Sequence, residues 1–376
     1  MSRPKLLYFI TEDWVFCSHR LPLALAAQDA GYDVAVVTHV SEHGDAIRQA
    51  GIRLIPFNLS RRGMNLLSEL VVLARLVILY RKEKPDLVHN VAMKPVLYGS
   101  LAARLSGVTR VVNALTGLGY FFTSDQPKAR LLRPVIGSAF RALLNSRGSL
   151  LILQNQDDRA MFIRKRFINK EQIRLIRGSG VDTAAFPPSP EPSGIPVVML
   201  ASRMLWDKGI KEFVEAARQI KARGVDARFV LVGDTDTHNP TAISNEQLTA
   251  WQTEGVIEWW RRRDDMPAVL AKAHIVCLPS YREGLPKVLL EAASCGRPIV
   301  TTDTPGCREV VSNGENGLLV PVRSTVDLAA ALQLLIEKPE LRKKMGPKGR
   351  EIVIGEFGVE KVISETMAVY RELLNQ

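Results

Sequence analysis

Short apolar runs alternate with longer segments of helical periodicity along the first half of the chain. The runs predict strands, and the segments between them predict helices over residues 21–31, 65–82 and 99–105. Strand candidates lie at residues 5–10, 33–39, 52–57, 86–91, 109–115, 150–154 and 173–176. Strands that alternate with helices are typical of a parallel sheet covered on both faces. Residues 11–20, TEDWVFCSHR, follow the first strand and are predicted as a loop.

A segment rich in proline, glycine and serine then interrupts the pattern. Residues 179–196 have no hydrophobic period, which is typical of a linker. Beyond it the alternation of strands and helices starts again. We therefore expect an N-terminal domain over residues 1–178, a second domain over 197–356, and a C-terminal helix within 357–376 that packs back toward the first domain. Two doubly wound parallel-sheet α/β domains of this kind are expected to face a cleft.

Composition limits the class of protein. A chain of 376 residues exceeds the usual single core, and 46% hydrophobic with 24% charged residues is ordinary for a folded protein. The first apolar run is short and soon followed by Glu12 and Asp13, so it does not resemble a signal peptide. No apolar run reaches the about 18 residues of a spanning helix. The 4 cysteines have no CxxC spacing, which indicates reduced, structural thiols in the cytosol.

The net charge of +11 lies almost wholly in the first half of the chain. Residues 1–185 contain 26 Lys and Arg against 14 Asp and Glu, whereas the remainder contains 24 against 25. Such a basic half suits acidic lipid head groups, a diphosphate substrate or nucleic acid, although a solubility bias would look the same. Residues 60–84 and 128–148 combine apolar side chains with basic ones, and either could lie in a head-group layer. A helix packed on the sheet would explain residues 60–84 equally well.

Residues 273–303 predict a compact strand, loop, helix and strand, with two carboxylates beside the helix. Glu283 lies in the loop and Glu291 within the helix, which Pro286 begins and Gly296 ends. Loops at the carboxyl ends of parallel strands bind anionic ligands in such sheets. Glu283 as a helix cap and Glu291 as a solvated charge are the alternative, and the spacing alone does not decide between them.

Four motifs together resemble those of the retaining nucleotide-sugar glycosyltransferases of family 4, which have two Rossmann-like domains in the GT-B arrangement. YREGLPKVLLEA contains the E-x7-E pair, and SRMLWDKG contains a basic pair, Arg203 and Lys208. GVDTAAF is similar to the interdomain segment of the family, and PGCREVVSNGENGLLVP to its donor-site loop. The resemblance extends along most of the chain and implies an enzyme that transfers a sugar.

The resemblance implies roles for the donor-site residues. Arg203 and Lys208 would stabilise the charge of the departing diphosphate. Glu283 would hold hydroxyls of the donor sugar and Glu291 those of the ribose. The amides of Gly284 and Leu285 would lie beside the sugar, and Thr304 and Gly306 near the phosphates.

This chain departs from the family pattern on the acceptor side and beside the nucleotide base. The first loop has no glycine pair, and Thr116 stands where many relatives have a histidine, so His19, Arg20, His89 and Thr116 are all acceptor-side candidates. Arg261 stands where relatives often have a glycine beside the base. Residues 234–236 spell DTD, a metal-binding pattern of the other large glycosyltransferase fold, but here a chance match is expected. We predict no cofactor and no obligatory metal.

Within the family, several segments look most like bacterial enzymes that extend undecaprenyl-diphosphate-linked sugars for O-antigen, capsule or protein-linked glycans. The expected donor is a UDP-linked hexosamine such as UDP-N-acetylgalactosamine, and the expected acceptor a lipid-diphosphate-linked saccharide. The expected location is the cytoplasmic face of the inner membrane, as a peripheral protein on an anionic surface. A UDP-sugar 2-epimerase on the same architecture is the alternative, and nucleic acid is not expected as a partner because no recognised binding module is present.

Overall fold

The structure is a computed structural model that describes residues 3–59, 66–117, 127–236 and 239–375. The basic start of the segment at residues 60–84, and the side chain of Lys128 in the other basic segment, lie outside the described part. The chain forms two compact units. Unit 1 comprises Met1–Ser179 and Glu360–Gln376, and unit 2 comprises Gly180–Val359.

Unit 1 is built on a seven-stranded sheet in which every paired strand is parallel. Its strands are β1 (Lys5–Glu12), β2 (Asp33–His39), β3 (Arg53–Pro56), β4 (Leu87–Val91), β5 (Val111–Leu115), β6 (Ser149–Leu153) and β7 (Ile173–Leu175). Their order across the sheet is β3-β2-β1-β4-β5-β6-β7. This is the doubly wound order, with its switch point between β1 and β4.

Helices cover both faces of this sheet because its strands alternate between two apolar clusters. They are α1 (Asp13–His19), α2 (Leu21–Asp29), α3 (Gly44–Gln49), α4 (Leu66–Glu83), α5 (Met93–Ser106), α6 (Pro127–Leu144) and α7 (Gln156–Arg164). On β1, Tyr8 and Ile10 pack with residues of α1 and α2, whereas Leu7 and Phe9 pack with residues of α4 and α5. The near-continuous apolar strands are thus buried on both sides, as a parallel sheet requires.

The segment predicted as a loop after β1 is instead the end of a strand followed by a helix. β1 continues to Glu12, and α1 begins at Asp13, which is fully buried. The Asp13 carboxylate accepts hydrogen bonds from the backbone nitrogens of Trp14, Ser41 and His43 at 2.8, 2.6 and 3.0 Å. These bonds fix the first turn of α1 against the loop after β2.

Unit 2 repeats the architecture with a six-stranded parallel sheet. Its strands are β8 (Val197–Ala201), β9 (Arg228–Val232), β10 (Glu258–Trp259), β11 (Ile275–Leu278), β12 (Ile299–Thr302) and β13 (Gly317–Val320), in the order β10-β9-β8-β11-β12-β13. Its helices are α8 (Ile210–Ala222), α9 (Asn245–Thr253), α10 (Met266–Ala271), α11 (Lys287–Ser294), α12 (Cys307–Val310), α13 (Thr325–Glu337) and α14 (Pro339–Glu356). The predicted α/β class, with two Rossmann-like parallel-sheet domains, is confirmed.

The proline-rich segment predicted as a linker is tied to unit 2 by two arginines. Arg342 makes a two-pronged ion pair with Glu191, with nitrogen to oxygen distances of 2.9 and 2.6 Å. Arg297, which is buried, donates to the carbonyl oxygen of Pro190 at 3.0 Å. The division between units falls after the first residue of this segment, between Ser179 and Gly180.

The last helix, α15 (Val359–Leu374), returns to unit 1 from Glu360 onward. Its Tyr370 is fully buried, and the Tyr370 hydroxyl lies 2.9 Å from the Tyr8 hydroxyl and 2.6 Å from Nδ1 of His89. An ion pair between Arg174 and Glu372 adds a second tie. No helix within the described ranges is long and apolar enough to cross a bilayer.

Candidate active site

The loops that follow β8, β11 and β12 meet at the carboxyl edge of the unit 2 sheet. Gly209, with φ +72°, ends the first of these loops, and a Cβ there would lie 2.1 Å from the carbonyl oxygen of Pro279. Gly306, with φ +77°, follows β12, and a Cβ there would lie 2.3 Å from the carbonyl oxygen of Gly284. Both positions combine left-handed backbone with close approach, so only glycine fits. The three loops therefore form one packed surface.

Lys208 and Glu283 form an ion pair at this surface. Lys208 ends a single 3₁₀ turn, Trp206–Lys208, and its Nζ lies 2.5 Å from Oε1 of Glu283. The two side chains are 18% and 12% exposed, so a ligand can reach them. The structure thus brings together two residues that are 75 positions apart and that were predicted to hold the diphosphate and the sugar.

Arg203 has a different partner from Lys208. Its Nη1 lies 2.9 Å from Oδ2 of Asp236, and its side chain is 43% exposed. Each cation of the predicted basic pair is therefore held by its own carboxylate. Asp236 was missed as a site residue, because in the sequence it stood out only as part of the DTD pattern.

The DTD segment shows no arrangement that would hold a metal ion. Asp236 is paired with Arg203, and Oδ1 of Asp234 accepts a hydrogen bond from the backbone nitrogen of Arg262 at 3.3 Å. In the parts of the chain that the structure describes, no three His, Cys, Asp or Glu side chains are grouped closely enough for metal binding. Both carboxylates of this segment therefore take part in contacts within the loops.

Tyr281 fixes the loop that presents Glu283. Its backbone nitrogen donates to the carbonyl oxygen of Asp207 at 2.9 Å, and its hydroxyl donates to Oε1 of Glu212 on α8 at 2.8 Å. Burial and the neighbouring Glu212 carboxylate raise the pKa of Tyr281 to about 12, so the phenol stays protonated. The Arg323 guanidinium lies over the ring, 4.6 Å from its centre. No feature of the sequence indicated a role for Tyr281, although it is the first residue of YREGLPKVLLEA.

Glu291 is buried on α11 and is not a solvated charge. Burial raises the pKa of its carboxyl group, and Lys287 one turn earlier opposes that shift. The Lys287 Nζ lies 3.5 Å from Oε1 of Glu291. A largely desolvated carboxylate with one distant cation retains capacity to accept hydrogen bonds from ligand hydroxyls.

Thr304 and Gly306 form the turn between β12 and the short helix α12. The Thr304 hydroxyl is buried beside the Cys307 thiol and has no nitrogen or oxygen partner among the described residues. Burial raises the pKa of Cys307 to about 11, which keeps the thiol neutral. The Gly284 backbone is buried against Gly306, whereas Leu285 is half-buried. This turn is shaped by backbone contact with the Glu283 loop rather than by charge.

Arg261 stacks on the edge of the same sheet. Its guanidinium lies 4.0 Å from the centre of the Trp259 ring, and its backbone is left-handed, with φ +53°. The Trp259 indole nitrogen donates to the carbonyl oxygen of Gly233 at 2.8 Å. The backbone nitrogen of Gly233 in turn donates to the carbonyl oxygen of Arg261 at 2.8 Å. Arg261 therefore adopts the backbone conformation that a glycine favours, and adds a flat cationic side chain.

The predicted acceptor-side residues of unit 1 differ in accessibility. Thr116 is exposed directly after β5, and His19 is half-buried, with Nδ1 3.2 Å from the Ser179 hydroxyl. Arg20 is buried between α1 and α2, and burial lowers its pKa while the nearby Tyr370 and Tyr8 hydroxyls oppose the shift.

His89 lies inside the core instead of at a ligand-accessible edge. It is fully buried in mid-strand, in register with Tyr8, and is hydrogen-bonded to Tyr370. Burial lowers the pKa of His89 well below its usual value, and the Arg20 charge adds to that effect. The acceptor-side assignment of His89 is therefore corrected: its ring supports the packing of α15.

Comparison with known proteins agrees with this arrangement. The chain matches the family model described as glycosyl transferases group 1 over residues 182–352, and the model described as glycosyl transferase 4-like over residues 5–155. It is 30% identical over 336 residues to N,N'-diacetylbacillosaminyl-diphospho-undecaprenol alpha-1,3-N-acetylgalactosaminyltransferase of Campylobacter jejuni, covering 86% of this chain and 87% of the relative. It is 26% identical to UDP-Gal:alpha-D-GlcNAc-diphosphoundecaprenol alpha-1,3-galactosyltransferase of Escherichia coli, covering 83% and 82%.

Solved structures resemble the whole chain at lower identity. HepE of Anabaena, in complex with UDP and glucose, is 19% identical with a TM-score of 0.79, covering 98% of this chain and 100% of that one. A glycosyltransferase from Rickettsia africae is 18% identical with a TM-score of 0.79, covering 100% and 99%. These likenesses establish the GT-B fold. The family models and the sequence relatives confirm the predicted family: the chain is an enzyme of the family 4 glycosyltransferases.

Proposed function

We propose that this glycosyltransferase moves N-acetylgalactosamine, or another hexosamine, from a UDP-sugar to a lipid-diphosphate-linked saccharide with retention of the anomeric configuration. The observation that carries the proposal is the ion pair of Lys208 and Glu283, 2.5 Å apart at the carboxyl edge of the unit 2 sheet. It is supported by the Campylobacter jejuni relative, whose name describes N-acetylgalactosaminyl transfer to an undecaprenol-diphosphate-linked sugar.

In this proposal Lys208 and Arg203 stabilise the departing diphosphate. Charge grows on the phosphate oxygens as the bond to the sugar breaks, and fixed cations oppose that charge most strongly in a dry site. Removal of one such group in other enzymes costs about 10²–10³ in rate. Lys208 acts as a point charge held by Glu283, whereas Arg203 exchanges Asp236 for the diphosphate and offers a planar fork.

Glu283 and Glu291 recognise hydroxyl groups of the donor. Glu283 accepts hydrogen bonds from the transferred sugar, beside the backbone of Gly284 and Leu285. Glu291, which is buried, accepts those of the ribose. The Thr304 hydroxyl and the backbone at Gly306 lie next to the Glu283 loop and serve the phosphates. No side chain is required as a base, because the departing phosphate oxygen can take the acceptor proton on the same face of the sugar.

The acceptor saccharide is proposed to bind to unit 1. In unit 1, the exposed Thr116 supplies a hydroxyl group for the saccharide, and His19, at the end of α1, supplies a second polar group. Arg20, which is buried beside two tyrosines, supports the α1–α2 junction that would present His19. We place the protein on the cytoplasmic face of an anionic membrane, where a lipid-linked acceptor is presented, and expect no nucleic-acid partner and no metal requirement.

The test is a matrix of nucleotide sugars against short-chain lipid-diphosphate saccharides. UDP-N-acetylgalactosamine, UDP-N-acetylglucosamine, UDP-galactose and a GDP-sugar are each incubated with acceptor, and products are followed by mass spectrometry and by NMR of the anomeric proton. Transfer of a hexosamine from UDP with an α-linkage is the expected result. Transfer from the GDP-sugar alone would overturn the donor assignment. Conversion of a UDP-sugar to its 2-epimer without acceptor would assign the site to an epimerase.

Metal dependence is tested in the same assay. Turnover is expected to persist in the presence of a chelator, because the described part of the site pairs its carboxylates with cations. Loss of transfer on chelation, with recovery on adding manganese, would contradict the metal-free mechanism.

A further inference from the structure

Helices α4, α5 and α6 share one side of the unit 1 sheet and form a continuous outer layer. Nη2 of Arg81, on α4, donates to the carbonyl oxygen of Leu105, on α5, at 3.0 Å. Nη1 of Arg104, on α5, lies 3.5 Å from the carbonyl oxygen of Ala142, on α6. These contacts join the three helices side by side, and their outward surface is called the α4–α6 face below.

The α4–α6 face exposes an unusual number of large apolar side chains. Among the described residues of unit 1, seven of the eight exposed large hydrophobic residues lie on these three helices. They are Leu67, Leu70, Val71, Ile78, Leu105, Leu131 and Val135, with exposed fractions from 50% to 77%. Scattered single residues of this kind are normal on a protein surface, but a concentration on one face marks an interaction site.

The exposed stripe of α4 is not needed for packing on the sheet. Leu76 and Tyr80, which are buried, form the inward side of the helix. Leu70, Val71 and Ile78 lie on the opposite side at helical spacing, and are 54%, 51% and 65% exposed. A helix that only covers a sheet is expected to be polar on its outer side. Packing on the sheet, the alternative that the sequence offered for this helix, therefore explains six of its ten described large apolar residues and leaves four exposed.

Basic side chains surround these apolar residues, whereas free acidic ones are absent from the described helices of the face. The sequences of the three helices contain nine Lys and Arg but two Glu. Glu69 is 14% exposed and lies 2.9 Å from Nζ of Lys94. Glu83 is 16% exposed and lies 2.7 Å from Nη1 of Arg53. The face thus presents apolar groups and positive charge without an exposed unpaired carboxylate among its described residues.

We propose that the α4–α6 face is the surface with which this protein docks on an anionic lipid bilayer. The proposal rests on the proposed function, since that function requires a lipid-linked acceptor, and specifies which part of the molecule meets the membrane. Apolar side chains enter the head-group boundary, and the surrounding cations bind acidic head groups. Charge complementarity favours a bilayer over a second copy of the chain, because two such faces would repel each other.

Two variants of the face separate its apolar and ionic parts. Leu70→Ser, Val71→Ser and Ile78→Ser together remove exposed apolar area from α4. Arg75→Glu and Lys82→Glu together reverse two exposed charges of the same helix.

Each variant has a matched control on unit 2. Val326→Ser, Leu334→Ser and Ile354→Ser change side chains that are 66%, 41% and 54% exposed there. Lys343→Glu and Lys344→Glu make the same change in net charge at exposed positions of α14.

Flotation with vesicles of neutral phosphatidylcholine, with and without about 30% phosphatidylglycerol, measures the partition coefficient. The serine variant is expected to bind anionic vesicles at least about tenfold more weakly than the wild type. The charge variant is expected to lose about tenfold or more at low salt, and high salt is expected to erase that difference. Both control variants should bind like the wild type.

Three results would overturn the proposal. The first is that both face variants bind anionic vesicles as strongly as the wild type. The second is that the control variants lose as much binding as the face variants. The third is that the wild type is a dimer and the face variants are monomers by analytical ultracentrifugation, which would assign the face to a second copy. All variants are also assayed on a water-soluble short-chain acceptor, where the face variants should retain wild-type transfer. Absence of transfer in the wild type would refute the proposed function and leave the flotation result standing on its own.

Discussion

The ion pair of Lys208 and Glu283 allows structural and chemical roles to be separated in one experiment. We consider Lys208→Met, Glu283→Gln and the double variant. The charged atoms are 2.5 Å apart and the side chains are 18% and 12% exposed, so the pair is partly desolvated. If the pair only stabilised the loop, the double variant, which lacks both charges, would keep wild-type transfer. If it serves the sugar and the diphosphate, the double variant must stay inactive.

The size of the stability effect follows from the geometry. With an effective dielectric constant of about 20, the attraction at this separation has an upper bound of about 7 kcal/mol, most of which is offset by loss of hydration. A single substitution leaves one charge without its partner, and we expect it to lower the free energy of unfolding by about 1–3 kcal/mol. The double variant leaves no unpaired charge, and its loss should be smaller than that of either single variant.

Urea unfolding and steady-state kinetics are then compared for the same proteins. All three variants are expected to lose about 10²–10³ in kcat/KM, because each lacks a group that acts on the donor. The matched control is the pair of Arg228 and Glu258, 2.7 Å apart and 46% and 40% exposed at the edge of the same sheet. Its removal should cost less than about 1 kcal/mol and leave transfer unchanged. Recovery of both stability and transfer in the double variant would refute the chemical role.

Three further changes test the neighbouring groups. Asp236→Asn releases Arg203 from an exposed pair, so the KM for the donor should fall by up to about fivefold in initial-rate assays; a raised KM would show that Asp236 itself helps to bind the donor. Gly306→Ala places a Cβ 2.3 Å from a backbone oxygen and should cut transfer about 100-fold. Its control is Gly314→Ala, where φ is +80° but no atom lies within 4 Å of the added Cβ, so that it should only lower the free energy of unfolding by about 1–2 kcal/mol. Glu291→Gln should stabilise the protein most at neutral pH. Burial raises the carboxyl pKa above 4.5 in the folded state, so ionisation at higher pH destabilises the wild type and the gain shrinks as pH falls through the raised pKa. Thermal unfolding at several pH values measures that gain in stability, and a gain that does not change with pH would contradict the assigned burial effect.

The sheets could be predicted from the sequence because their strands are continuous apolar runs between helices of clear period. The same local signals placed the loop of Glu283, the start and end of α11, and the last helix. Gly296 does adopt φ +72° at the end of α11. Such features depend on a few neighbouring residues, so they can be predicted from the local sequence alone.

Features that depend on distant partners could not be predicted. The pair of Arg203 and Asp236 joins two loops 33 residues apart, and nothing local in either loop specifies it. The burial of His89 depends on Tyr370, 281 residues later. The seven residues of α1 show too little period to predict a helix, and its first turn is fixed by hydrogen bonds to Asp13 from the loop after β2.

The return of α15 to unit 1 sets an order in which the nascent chain can fold. Unit 2 is contiguous, and can close as soon as Val359 has left the ribosome. Unit 1 is made first but finished last, since the buried hydroxyl of Tyr8 and the Nδ1 of His89 find their partner only when Tyr370 arrives. Until then its sheet exposes the apolar side that α15 later covers. Biogenesis of this enzyme therefore includes a stage in which the earlier-made part of unit 1 cannot yet complete its apolar core, because the residues that close it are among the last to be synthesised.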